Sequence, residues 1–157
     1  MGKDRLADIS LKNIAITDGF WNKYRNLVKD VIIPYQWDTL NDNVPDAEPS
    51  HCIENFRIAA GEKNGEFYGA VFQDTDVAKW LEAVAYVLDS QGRDEELEKL
   101  ADETIDLIGK AQGSDGYLNT YFTIKEPERR WTNLREGHEL YTAGHMIEAA
   151  VAYYQAT

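Results

Sequence analysis

Histidine, tyrosine and carboxylate side chains crowd the segment EGHELYTAGHMIEAAVAYYQAT, Glu136 to Thr157. Read as a helix, it sets His138, Tyr141 and His145 on one face with Glu139 and Glu148 beside them. Histidines and glutamates in this density raise the question of a metal ion. His138 and His145 lie two turns apart, about 10.5 Å along a helix axis, whereas zinc helices converge on one ion with i, i+4 spacing. The spacing argues against a single ion held by both histidines, so no metal ligand is assigned. His145 reads as a packed histidine bonded to a neighbour. His138 sits in the first turn, where a helix end opens toward solvent or a pocket, and reads as a candidate ligand contact.

A second candidate is Pro34-Tyr35-Gln36-Trp37, which places an amide between two aromatic rings. Aromatic faces stack on the apolar faces of sugar rings, and an amide both donates to and accepts from hydroxyls. The competing reading is a core proline kink with Gln36 exposed. Trp80 falls in an apolar stripe and reads as core, while Asp74 and Asp76 flank Thr75 at a helix start, where capping accounts for at least one of them. Cys52 has no histidine near it in sequence and reads as a buried small hydrophobe. With 28 acidic residues, coincidental carboxylate pairs abound, and no acid and nucleophile can be singled out as catalytic.

The elements that must position these side chains read as helices. Ile9, Leu11, Ile14 and Ile16 alternate with polar neighbours, which suits a short extended segment. Asp18 then caps a helix from about Phe20 to Leu40, with Pro34 predicting a kink or break near Ile33. Ser50 caps a second helix, Cys52 to Ala60, which Gly61 ends. Val77, Trp80, Leu81, Val84 and Leu88 follow helical spacing up to Gly92, and Asp94 caps a further helix whose stripe runs through Leu97, Leu100, Ala101, Thr104, Ile108 and Ala111. These two form an antiparallel hairpin with a short connection. A long aromatic loop from Gly113 to Arg135 then leads to the final helix, and its length marks it as functional. About five helices in antiparallel hairpins describe an all-α chain of stacked pairs, as in a toroid or a solenoid, without a strict sequence repeat.

Composition bounds the partners. A chain of 157 residues, 43% hydrophobic, supports one domain that buries roughly 70% of its unfolded surface. A net charge of −12, spread along the chain, makes nucleic acid and anionic membrane poor partners. A single cysteine excludes an internal disulfide and a cysteine-based structural zinc site. No apolar run approaches the length of a membrane helix, and the N-terminus does not read as a signal peptide, so a cytoplasmic location is expected. No capping glycine or proline follows the final helix, and residues 1–157 read as an incomplete unit that buries its open helix faces by self-association.

The segments GFWNKYR (Gly19 to Arg25), VIIPYQWDTLND (Val31 to Asp42), FQDTDVAKWLEAVAYVL (Phe72 to Leu88), AQGSDGYLNTYF (Ala111 to Phe122) and GHELYTAGHMIEAAVAYYQAT (Gly137 to Thr157) together resemble the N-terminal portion of glycoside hydrolase family 127, the β-L-arabinofuranosidase-like proteins. The resemblance implies a partial (α/α)6 toroid, and a retaining exo-hydrolase that removes terminal L-arabinofuranose from plant-type glycans. It also implies, for the full-length family member, zinc with a cysteine nucleophile and a glutamate acid/base, for which this sequence has no counterparts. What carries over is sugar binding: Gln36 in PYQW and His138 in GHELY match positions that face arabinofuranose hydroxyls. The expectation is therefore part of a glycoside hydrolase carrying part of a sugar subsite. A non-catalytic helical module that binds glycan or a partner chain is the alternative.

Overall fold

A computed structural model describes residues 9–157 of the chain; residues 1–8, on which part of the N-terminal reading rests, lie outside the described residues. Among the described residues every regular element is helical. Where alternation predicts an extended segment, Leu11–Asn13 instead closes one 3₁₀ turn, with the Ser10 hydroxyl accepting from the Lys12 amide. Helix α1, Gly19–Leu27, starts at Asp18, whose Oδ1 accepts from the Trp21 amide at 2.8 Å. It runs through a π-helical stretch, Val28–Ile32, directly into α2, Ile33–Leu40. The predicted disturbance near Pro34 is therefore a widened turn just before it. Proline has no N–H to offer the carbonyl of Asp30, so the α ladder gives way ahead of it.

Helix α3, Cys52–Ala59, departs from its predicted cap. His51 occupies the cap position in the left-handed region at φ 53°, and Ser50 accepts from the Cys52 amide at 3.1 Å. Asp42 makes that corner possible by accepting from the amides of Ser50 and His51 and pairing with the His51 ring at 3.0 Å. Helix α4, Asp74–Gln91, and α5, Glu95–Ala111, keep their predicted bounds, with Gly92 at φ 88° and the Asp94 carboxylate accepting from the Leu97 amide. The predicted long loop contains a short helix, α6 (Thr120–Ile124), and a 3₁₀ turn at Pro127–Arg129. Helix α7 is Glu139–Ala156.

Two layers result. α4 and α7 lie parallel, since Lys79 reaches Tyr141 near their starts while Lys12 clamps Asp89 and the last carbonyls of α7 near their ends. They form the most intimate helix pair in the molecule, because Ala78, Ala85, Thr142, Ala149 and Ala152 are small and buried and let the backbones approach. α1–α2 runs antiparallel to α4: Gln91 reaches the Arg25 carbonyl, and the buried Trp80 indole donates to the Ile33 carbonyl at 3.1 Å while stacking on Trp37. α5 runs antiparallel to α7, with the Tyr153 hydroxyl near the end of α7 donating to Asp102 near the start of α5. The predicted α4–α5 hairpin is present, yet α4 packs chiefly on α7. A sequence stripe identifies an apolar face without naming what covers it. The core of Ile33, Phe56, Val77, Trp80, Leu81 and Val84 joins the layers into an all-α sector of a helical toroid.

Candidate functional site

Because α4 and α7 are parallel, their N-terminal ends open on the same side. Phe72, just before α4, meets His138, just before α7, with ring centroids 5.2 Å apart and planes at 75°. Tyr141, one turn into α7, stands edge-on to both, 6.0 Å from His138 and 6.4 Å from Phe72. Phe72 and Tyr141 remain 41% and 44% exposed, so three rings at right angles present a partly apolar wall to solvent. Lys79 lies against this wall, its ammonium 3.1 Å from the Tyr141 hydroxyl and also bonded to the Thr75 hydroxyl. Such a surface offers ring faces to the C–H side of a sugar and hydroxyl, imidazole and ammonium groups to its oxygens.

His138 is the cap residue of α7 rather than part of its first turn, with φ 51° and ψ 22°. Histidine tolerates the left-handed region better than most residues, but the conformation still has a cost that its surroundings must hold. Gly137 provides the approach. Its amide bonds to the Asn133 carbonyl at 2.8 Å, and a Cβ there would lie 2.8 Å from that oxygen and 3.0 Å from the Phe122 ring. The GH of the sequence is thus one backbone device that turns the imidazole toward Phe72.

Two buried carboxylates fix the helix starts beneath the wall. Glu139 accepts from the Tyr117 hydroxyl at 2.5 Å and the Trp131 amide at 2.7 Å, tying α7 to the aromatic loop. Asp74 accepts from the Thr120 amide at 2.7 Å and its hydroxyl at 2.5 Å, tying α4 to α6. Both sit at the positive end of a helix dipole. Burial raises Asp74 to about 6, opposed by its bonds to Thr120. Burial and the bond to Glu139 push the Tyr117 phenol far above its ordinary value, while the Arg130 guanidinium 4.1 Å over its ring works the other way. The expected capping by at least one of Asp74 and Asp76 is thereby corrected: α4 has no side-chain cap hydrogen bond, because Thr120 supplies two donors to Asp74 and the Gln73 side chain engages Asp76.

Gln36 is exposed on α2, one residue before Trp37, which packs on Trp80. Since α2 is antiparallel to α4, Gln36 lies on the part of α2 that approaches the end of the layers where His138 stands; among the described residues no hydrogen bond or ring contact joins the two. His145 is partly buried with its ring 4.6 Å from that of Tyr141, but the expected hydrogen bond to a neighbour is not formed at Nδ1, which is buried without a partner 3.3 Å from Glu148. Sequence reasoning missed Phe72 and Lys79 as neighbours of His138, and Glu139 and Asp74 as anchors. No local pattern distinguishes a first-turn acid that is buried from one that is solvated. The aromatic density of the loop was the available signal for Tyr117 and Trp131.

The zinc and cysteine nucleophile that the resemblance implies do not fit these residues. Cys52 is fully buried, its thiol lies 3.2 Å from the Gln73 carbonyl, and burial, with Asp74 and Asp76 nearby, raises its pKa well above the usual thiol value. A thiol held protonated is neither a nucleophile nor a zinc ligand. No helix among the described residues is long and apolar enough to cross a membrane.

Comparison with known proteins places this arrangement. The family model for the β-L-arabinofuranosidase GH127 catalytic domain matches residues 13–157. The chain is 44% identical, over 92% of its length, to a non-reducing end β-L-arabinofuranosidase of Bifidobacterium longum subsp. longum, of which it covers 24%. It superposes with a TM-score of 0.90 and 68% identity on a GH127 β-L-arabinofuranosidase from Geobacillus stearothermophilus T6, covering 92% of this chain and 23% of that one. A second solved GH127 β-arabinofuranosidase matches at 33% identity and a TM-score of 0.83, over 95% of this chain and 24% of its own. Spanning about a quarter of the length of these relatives, and matching their helical fold over that stretch, the chain belongs to glycoside hydrolase family 127.

Proposed function

We propose that this chain forms one wall of the arabinofuranose subsite of a β-L-arabinofuranosidase and does not itself cleave the glycosidic bond. The observation that carries the reading is the edge-to-face set of Phe72, His138 and Tyr141 at the paired starts of α4 and α7, with Phe72 and Tyr141 exposed and His138 half-buried between the helix starts. In this reading His138 and Gln36 bond to sugar hydroxyls, Phe72 and Tyr141 cover an apolar edge of the ring, and Lys79 holds the Tyr141 hydroxyl in place. The ligand is a terminal β-L-arabinofuranose, the sugar in the names of the relatives, carried on a plant-type glycan as the family resemblance implies. Retaining cleavage requires a nucleophile and an acid/base about 5–5.5 Å apart. The buried Asp74 and Glu139 are instead occupied by neutral donors that hold the fold together, and Cys52 is a protonated core thiol.

The same reading assigns the open apolar side chains of α7, Leu140, Ile147, Val151 and Tyr154, to self-association of this chain. The test of the enzymatic reading is incubation of the purified chain with a nitrophenyl β-L-arabinofuranoside, alongside a measurement of zinc content. The expected result is no nitrophenol above the uncatalysed rate and no thiolate-bound zinc. Zinc-dependent release would overturn it.

A further inference from the structure

Three donors that the sugar reading does not use converge between α4 and α7. One Glu82 carboxylate oxygen, one His145 ring nitrogen and one Glu148 carboxylate oxygen lie within 4.8 Å of one another. Glu82 comes from α4 and the other two from α7, at i, i+3 spacing on one face. We propose that Glu82, His145 and Glu148 bind one divalent transition-metal ion that bridges the two parallel helices.

Four observations support the assignment. The Nδ1 atom of His145 is buried and makes no hydrogen bond, although it lies 3.3 Å from Glu148 Oε2. The ring nitrogen and the carboxylate oxygen thus lie close together without bonding to each other. The two carboxylates have no lysine or arginine partner among the described residues, so the pocket carries uncompensated negative charge. The flanking residues also orient the donors. The Tyr86 hydroxyl donates to Glu82 Oε1 at 2.8 Å, and the Tyr141 ring stands perpendicular to the imidazole at 4.6 Å. Partners that fix ligand orientation are the usual surroundings of a metal site.

Donors at bond lengths near 2.0–2.2 Å around a tetrahedral ion are roughly 3.3 Å apart, so the set must close by about 1 Å or more. Glu148, 63% exposed, is free to swing inward, while Glu82 and His145 are held. One imidazole with two carboxylates suits Zn²⁺ and Mn²⁺, and the nitrogen donor discriminates against Mg²⁺ and Ca²⁺.

The experiment is titration of the 157-residue chain with Zn²⁺, Mn²⁺ and Mg²⁺ in chelator-free buffer, read by calorimetry and by the melting temperature. The expected result is one Zn²⁺ per chain, a raised melting temperature, and Mg²⁺ binding weaker by on the order of a hundredfold. His145→Ala and Glu82→Gln are expected to weaken Zn²⁺ at least tenfold. Glu148→Gln, on an exposed side chain that leaves the fold intact, is expected to do the same. His138→Ala and His51→Ala are expected to bind Zn²⁺ as the parent does. Absence of a one-equivalent Zn²⁺ site in the parent, equal affinity for Mg²⁺, full binding by Glu148→Gln, or loss of binding in His138→Ala would each overturn the proposal.

Discussion

Asp74 shows how a single side chain couples the fold to pH. Burial raises it from 3.8 to about 6, so the folded chain keeps this proton to higher pH than the unfolded chain does. In that interval the folded state binds more protons, and stability falls as pH rises. The contribution is complete below the unfolded value and lost through the folded one, an effect of roughly 3 kcal/mol for a shift of that size. Asp74→Asn removes the titration. Subtracting its stability from that of the parent, measured by denaturant unfolding from pH 4 to 7, should give a curve that falls by a few kcal/mol with a midpoint between those two values; a flat difference would refute the assignment. The two histidines of α7 make a second residue-level test. His138→Ala should weaken arabinofuranoside binding by about 1–3 kcal/mol with little change in melting temperature, because an exposed-side hydrogen bond to ligand is lost. His145→Ala should lower the melting temperature and spare sugar binding, since its ring packs on Tyr141 at 4.6 Å and, among the described residues, shares no ring contact with Phe72 or His138. Equal profiles for the two variants would dissolve the division between a binding residue and a packed one.

The helices themselves were legible from local pattern, and the way two of them begin was not. Apolar spacing located α4 to its end at Gly92, and Asp94 announced α5, because periodicity and capping are short-range effects written in adjacent residues. His51 and His138, both left-handed at helix starts, broke the expectation of a serine cap and of a histidine inside the first turn. Those corners depend on Asp42 and on Gly137 against Asn133, contacts that become visible only once the chain has folded back. The same limit hid the parallel α4–α7 pair, and of the candidate site it left His138 and Gln36 readable while concealing Phe72, Lys79 and the buried carboxylates. Gly137→Ala tests the helix start directly. A methyl group would meet the Asn133 carbonyl at 2.8 Å and the Phe122 ring at 3.0 Å, so either the loop or α7 must move. A loss on the order of 1–3 kcal/mol in stability, together with altered near-ultraviolet dichroism from the displaced aromatic loop, is expected. A variant as stable as the parent, with an unchanged spectrum, would show that the approach is looser than described.

At the scale of the whole molecule, α7 is covered on one side and open on the other. Leu140, Ile147, Val151 and Tyr154 are all exposed, Tyr154 by 85%, and α1 adds Phe20, Trp21 and Tyr24 at a separate place. Apolar side chains in such rows favour association, and sedimentation velocity at tens of micromolar should show a dimer or larger species; a monomer that binds no hydrophobic dye would contradict this. Family membership explains the helical layers, since relatives about four times longer share this fold over the matched stretch. It leaves the role of this quarter as the central question. The most direct measurement is a two-dimensional NMR titration of the labelled chain with methyl β-L-arabinofuranoside. The account predicts saturable shifts confined to Phe72, Lys79, His138, Tyr141 and Gln36 and the residues next to them, with none in the open groove of Ile105, Ile108 and Met146 between α5 and α7. Shifts centred on that groove, or no saturable shift at all, would contradict the assignment of the aromatic wall as the sugar site.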